Sequence, residues 1–442
     1  MELLFGVVML LLPFSVIYFT KFIFKKLNSK VNILFRFIEF LIYYKIFFYM
    51  LVPTVLRIFS GFQYDIEVNV EPIEILTIYL FESISYFIWL SVFYILVYRF
   101  SSTRFSSYYS IVIEIFFMII LFLYIYFIAI KGLGILGYKF SNLFDSTLYV
   151  FYPLVNTLGP VLAFFGLVYY RFGIINNKKF IISILAVFIY LMVSLLSGVR
   201  GLIIHPAFFV LFLLFLFGKK KQIKYILIVL FIFTIFQSSF MQIRHFDNDT
   251  KLELLAQGNI GKETRTIFDE IEWRYGESSR VSVAFLRRGL NNNFAGIQPI
   301  LSSLYAPLPR AFFPEKPIPG SIGDDKYSMG MFLIEADIRG QWWNMCEFFS
   351  SAHAYWEFGI AGIVVISIFS AIYISLLSII FLRLGIFGIP MILMFFKPWG
   401  FNEPKIWMYE IPMQIFQYIV PSLLLISIVI LFKFLKKGLN HG

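Results

Sequence analysis

An apolar run long enough to cross a bilayer leaves a chain little choice of fold, and this sequence has many. Ile181–Leu196, Leu202–Phe217 and Ile226–Phe236 are nearly free of charge and flanked by it, as spans of roughly 20 residues require. Hydrocarbon offers no water to satisfy backbone amides, so such runs must be helices or strands of a closed barrel. The alternating apolar and polar pattern of a barrel strand is absent. Composition agrees: 60% of the 442 residues are hydrophobic and 14% charged, against about 45–50% and about 25% in soluble chains. A soluble domain this apolar would expose aggregating patches. The expected fold class is an all-α polytopic membrane protein with about eleven transmembrane helices and one large extracytoplasmic loop subdomain.

Spans are expected at 3–20, 31–58, 73–98, 111–131, 149–170, 181–197, 202–217, 225–240, 357–382, 384–397 and 412–432, with 384–397 readable as re-entrant. Basic residues in alternate short loops set the orientation. One side collects Lys21, Lys25, Lys26, Lys30, Arg99, Arg104, Arg171, Lys178 and Lys179, then Lys219–Lys221, Lys224, Arg383 and the tail lysines. The other side has the loop 59–72, with Asp65, Glu67 and Glu71 and no Lys or Arg. The basic side is expected to be cytoplasmic, with the N-terminus outside and the C-terminus inside. The first run reads as a retained helix, because Glu2 stands where a signal peptide is basic. The net charge of +11 sits mainly in those loops, which argues against a nucleic-acid partner. Cys346 is the single cysteine and excludes a disulfide framework or thiolate cluster.

Three segments follow: 1–240 with eight helices, 241–356 as the outer loop subdomain, and 357–442 with the last two or three helices and a basic tail. Within the loop, Thr266 and Asp269 resemble a capping box. Ile267, Phe268, Ile271 and Tyr275 mark one face of a helix. Gly276 is expected to interrupt it, with a second helix from Ser279 to Leu290. The passage Pro299–Pro319 is expected to be irregular. There is no Walker loop, dinucleotide fingerprint or zinc-type spacing, so no cofactor is expected.

Several residues carry possible chemistry. Arg200, in Ser197-Gly198-Val199-Arg200-Gly201, offers a phosphate-binding fork between glycines that admit close approach; an arginine snorkelling to headgroups is the plainer reading. His205 reads as structural. Arg244 and His245 open the large loop, as interfacial anchors or as part of a site. Arg287 and Arg288 read as a solvated helix face or a headgroup contact rather than a site. Pro309-Arg310-Ala311-Phe312-Phe313-Pro314-Glu315-Lys316-Pro317 presents Arg310 and Lys316 from a stiffened backbone. His353 and Glu357 are four apart on one helical face, suited to general base chemistry or to an interfacial cap. Lys45 and Glu82, at matching depths, are expected to form an intramembrane ion pair.

The Arg200-Gly201 hairpin, the large outer loop, Pro309-Arg310 through Lys316-Pro317, and Ala354-Tyr355-Trp356-Glu357-Phe358-Gly359-Ile360-Ala361-Gly362 together resemble the bacterial O-antigen and oligosaccharide repeat-unit polymerases (the Wzy type). The motifs fall in the second half of the chain, and the first half agrees only in hydropathy. The family pattern often has a carboxylate before Ala-Tyr and an asparagine before Phe-Gly, where this chain has His353 and Glu357.

The resemblance implies a glycosyltransferase polymerising undecaprenyl-pyrophosphate-linked oligosaccharides into lipopolysaccharide O-antigen or another surface polysaccharide, in the bacterial inner membrane. It would act beside a chain-length regulator and flippase of the same pathway. It implies Arg200, Arg310, Arg244 and Lys316 at the pyrophosphate, with His353 and Glu357 catalytic. An O-antigen ligase acting on lipid A-core, and a polysaccharide exporter or flippase, are the alternatives.

Overall fold

The computed structural model describes residues 2–27, 33–98, 267–305 and 348–384, the short pairings at 396–397 and 400–401, and single positions 411, 415, 427 and 431. The chain divides into two units. The first is Met1–Arg104, Arg265–Ile380 and Glu403–Ile415; the second comprises the remainder. In the second unit, β1 (Phe396–Lys397) pairs antiparallel with β2 (Gly400–Phe401).

Four described helices are long and apolar enough to cross a membrane: Leu4–Lys26, Phe35–Ser60, Pro72–Val97 and Ser350–Ile379. They coincide with four of the expected spans. The other seven lie outside the described residues, save single positions and the strand Phe396–Lys397, which stands at the end of the expected span 384–397.

Helix α1 (Glu2–Lys26) packs on α5 (Pro72–Val97), on α2 (Ile33–Ile46) and on α3 (Val52–Ser60). Aromatic pairs fix the register of α1 on α5: Phe19 meets Phe87 edge-on at 5.2 Å, and Phe24 stacks on Phe93 at 6.1 Å. The two helices therefore run the same way. Gly6 lies against Ile58 of α3, so the start of α1, the end of α3 and the start of α5 share one end of the bundle.

Between α2 and α3 the helix widens into a π turn, Phe47–Leu51, which loosens backbone hydrogen bonding. Side chains compensate there. Thr54 donates to the Met50 carbonyl at 2.6 Å, and the Tyr79 hydroxyl reaches the Tyr49 and Met50 carbonyls at 3.3 and 3.4 Å. Helix α3 stops at Gly61 (φ 61°), and Phe62 is also left-handed (φ 59°). These two residues turn the chain back into α4 (Gln63–Glu67). A capping box then opens α5: Pro72 takes the first turn, and the Glu74 side chain accepts from the Glu71 amide at 2.9 Å.

Helix α6 (Ile267–Leu290) is continuous, so Gly276 is no interruption. A Cβ at Gly276 would lie 2.8 Å from Arg280 Nη2 and 3.2 Å from Arg57 Nη2; the glycine serves close approach. Helix α6 packs against α3, the π turn and α5. Residues 278 to 286 are all buried, so this part of the loop is embedded among the spans. Helix α7 (Gln298–Leu304) follows, inside the passage expected to be irregular. Its Pro299 falls in the first turn, where the missing amide costs nothing.

Helix α8 (Ser350–Leu384) breaks at Phe358 (φ −138°) and Gly359 (φ 63°, ψ −150°). Its long arm pairs with α5 through Ser85–Ser367 at 2.7 Å and Trp89–Ser370 at 3.3 Å, and so runs parallel to it. Residues eight apart in a straight helix are about 12 Å apart, yet the Ala354 carbonyl lies directly against Gly362. The first arm, 350–357, is therefore folded back along the start of the second.

Candidate functional site

The Arg57 guanidinium, fully buried near the end of α3, holds Asp65 through Nε at 2.7 Å and Nη2 at 3.3 Å. It also donates to the Tyr79 hydroxyl at 3.0 Å, to Ser279 Oγ at 2.7 Å and to the Gly276 carbonyl at 3.3 Å. Arg280 of α6 reaches the same Asp65 through Nε at 2.7 Å. Burial alone would push the Asp65 carboxyl up, but the Arg57 and Arg280 guanidiniums together hold it below its ordinary value. One carboxylate thus ties α3, the turn after it and α6 into a single charged core.

A second clamp lies further along α6. Arg287 grips Glu74 bidentately, with Nε–Oε1 at 2.6 Å and Nη2–Oε2 at 2.8 Å, and donates to the Asn69 carbonyl at 2.6 Å. Arg288 is buried. The expected solvated face does not hold for Arg288, which is buried, while Arg287 is partly exposed and finds its counter-charge on Glu74 in the first turn of α5. Lys45 and Glu82, the expected ion pair, are both buried. The Lys45 ammonium lies 4.1 Å over the Tyr49 ring, while Glu82 accepts from Ser351 Oγ at 2.6 Å.

That last bond sets the depth of the first arm of α8. From Pro72 to Glu82 is about 15 Å of helix axis, so Ser351 enters well below the end of the bundle. Irregular backbone at membrane depth persists only where protein or a cavity satisfies it. Here protein does. The Phe349 amide donates to Ser282 Oγ at 2.9 Å. The break at Phe358–Gly359 releases the carbonyls of Trp356 and Glu357, which accept from the amides of Ala295 and Gly296, each at 3.0 Å.

The two catalytic candidates on described residues sit in this arm. His353 is 3% exposed and Glu357 1%, with Nδ1 and Oε1 at 3.4 Å. Phe285 of α6, Phe348 and Trp356 box the imidazole at ring distances of 4.9, 5.4 and 5.2 Å. Among the described residues, neither carboxylate oxygen of Glu357 accepts a hydrogen bond. A buried carboxylate of this kind calls for an explanation, and a catalytic role is one. The pair is held in place by packing, with the acid beside the base, as a proton-transfer site requires.

The other candidates, Arg200, Arg244, Arg310 and Lys316, lie outside the described residues, as do His205 and His245. Sequence reasoning missed Arg57, Asp65, Tyr79 and Arg280. One signal was present: Arg57 is a charge inside an apolar run, three residues before its end and eight before Asp65. No family model, curated protein or solved structure matches this chain.

Proposed function

We propose that this chain is a glycosyltransferase that polymerises polyprenyl-pyrophosphate-linked oligosaccharide repeat units at the outer face of the bacterial inner membrane. The observation that carries the reading is the buried His353–Glu357 pair on a helix arm folded back at membrane depth. The one-sided distribution of Lys and Arg supports the assignment of this end of the bundle to the outside.

In this reading His353 takes the proton of the acceptor hydroxyl, and Glu357 orients the imidazole and stabilises its charge. The hydroxyl oxygen bonds to the donor's anomeric carbon as the carbon–oxygen bond to pyrophosphate breaks. The electron pair leaves with undecaprenyl pyrophosphate. Arg200 and Arg310, with Arg244 and Lys316, take up that charge. The leaving group supplies the driving force, so no nucleotide is required. The partners are the lipid-linked glycans, membrane lipid, and a flippase and chain-length regulator of the same route.

The test is deletion of the gene followed by gel analysis of surface glycan. Collapse of the ladder to single repeats supports polymerisation. Accumulated polymer still on its lipid carrier would make the chain a ligase, and repeat units trapped on the cytoplasmic side would make it an exporter.

A further inference from the structure

Between Arg288 and Arg310 the sequence contains no Asp, Glu, Lys, Arg or His, although this stretch belongs to the most polar loop of the chain. The described part, 289–305, places apolar side chains outward. Ile297, Leu301 and Leu304 recur at the spacing of one helical face, and they are 55%, 42% and 58% exposed. Leu290, Phe294 and Tyr305 are exposed beside them.

The position of the segment identifies what covers this face. Ala295 and Gly296 are hydrogen-bonded to the break in α8, and the Phe294 ring lies 3.7 Å from where a Cβ on Gly359 would stand. Directly after the break, Ile360 and Val365 are 69% and 51% exposed on an apolar span. Counting back from Ser367, level with Ser85, Ile360 lies about 9 Å below the Pro72 end of α5. The apolar face of 294–305 is thus continuous with the outward surface of a span and starts at its depth. An exposed apolar face of this extent in water would be an association site; at that depth the adjoining phase is hydrocarbon.

We infer that residues 290–305 form an interfacial element whose Ile297–Leu301–Leu304 face is immersed in the acyl chains of the bilayer, with Tyr305 at the headgroup level. The occupant of this surface is membrane lipid. The inference stands on exposure and depth, independently of the polymerase reading. It also makes the element a fixed apolar border at the foot of the His353 arm.

Two measurements test it on the full-length protein in phosphatidylethanolamine–phosphatidylglycerol vesicles. The unmodified protein, photolysed with a diazirine-acyl phospholipid, is digested with trypsin, which cuts after Arg288 and Arg310. Lipid adducts are expected on the peptide Gly289–Arg310, and their absence overturns the inference. In a Cys346→Ser background, nitroxides at Leu301→Cys, Leu304→Cys, Ile360→Cys and Asn291→Cys are then compared for collision with oxygen and with a water-soluble nickel chelate. Leu301 and Leu304 positions should favour oxygen several-fold, like Ile360. Nickel access like that of Asn291, or shielding from both reagents, would place the face in water or under protein and reject the lipid contact.

Discussion

Arg280, from a helix that the sequence assigns to an outer loop, meets Asp65 at 2.7 Å with both side chains wholly buried. Arg57 holds the opposite side of the same carboxylate. Removing one partner from a buried charge cluster strands the others and costs about 3–5 kcal/mol. Asp65→Asn should therefore sharply reduce the folded fraction recovered by size exclusion in mild detergent. Arg287→Gln, whose clamp on Glu74 is partly exposed, should cost less. Equal recovery of Asp65→Asn and wild type would remove the cluster from the core.

The same carboxylate gives a pH signature. Its folded pKa lies below the ordinary 3.8, so the unfolded chain binds the proton more readily. The contribution to stability is then complete above pH about 4 and is lost as pH falls through the folded value. The melting-temperature gap between wild type and Asp65→Asn should be constant from pH 7 to 5 and narrow below pH 4. A gap that grows on acidification would contradict the assignment.

Two glycines make the folded arm of α8 possible. Gly359 occupies a backbone region open essentially only to glycine, where another residue costs about 1–3 kcal/mol. Gly362 faces the Ala354 carbonyl with no room for a methyl group. Alanine at either position should lower the detergent melting temperature more than Gly61→Ala, where the left-handed turn is free of neighbours. A smaller effect at 359 and 362 would mean that the arm tolerates straightening.

Hydropathy alone made four of these helices legible, because a bilayer span leaves its mark in composition. The pairing of residues 353 and 357 was legible too, since helical spacing of four is local. The embedding of α6 was not. Arg287 and Arg288 read as a wet surface, and only the tertiary fold brings α6 against partners such as Asp65 and Glu74. Gly276 misled for a related reason: a glycine that serves close approach looks the same in sequence as a glycine that breaks a helix. The break at Phe358–Gly359 was hidden in the opposite way, by an apolar run continuing through it.

The contacts of α6 with α3, α4 and α5 require the loop 59–72 and the segment after Leu290 to face the same side of the membrane. In the Cys346→Ser background, Gln63→Cys and Asn291→Cys, both exposed, should react with an impermeant maleimide from the same side. The orientation proposed above adds that this side is accessible in cells permeable only at the outer membrane. Labelling from opposite sides would break the fold, and labelling of both only after inner-membrane lysis would invert the orientation.

The function proposed above rests on proton transfer by His353 and Glu357. The direct measurement is polymer formation from purified lipid-linked repeat units by His353→Ala and Glu357→Gln, at matched folded protein. Loss of a positioned general base costs about 10²–10⁴ in rate, so turnover should fall by at least two orders of magnitude while the lipid-linked substrate still binds. Rates near wild type in both variants would contradict the account, leaving the buried pair a structural feature of the arm.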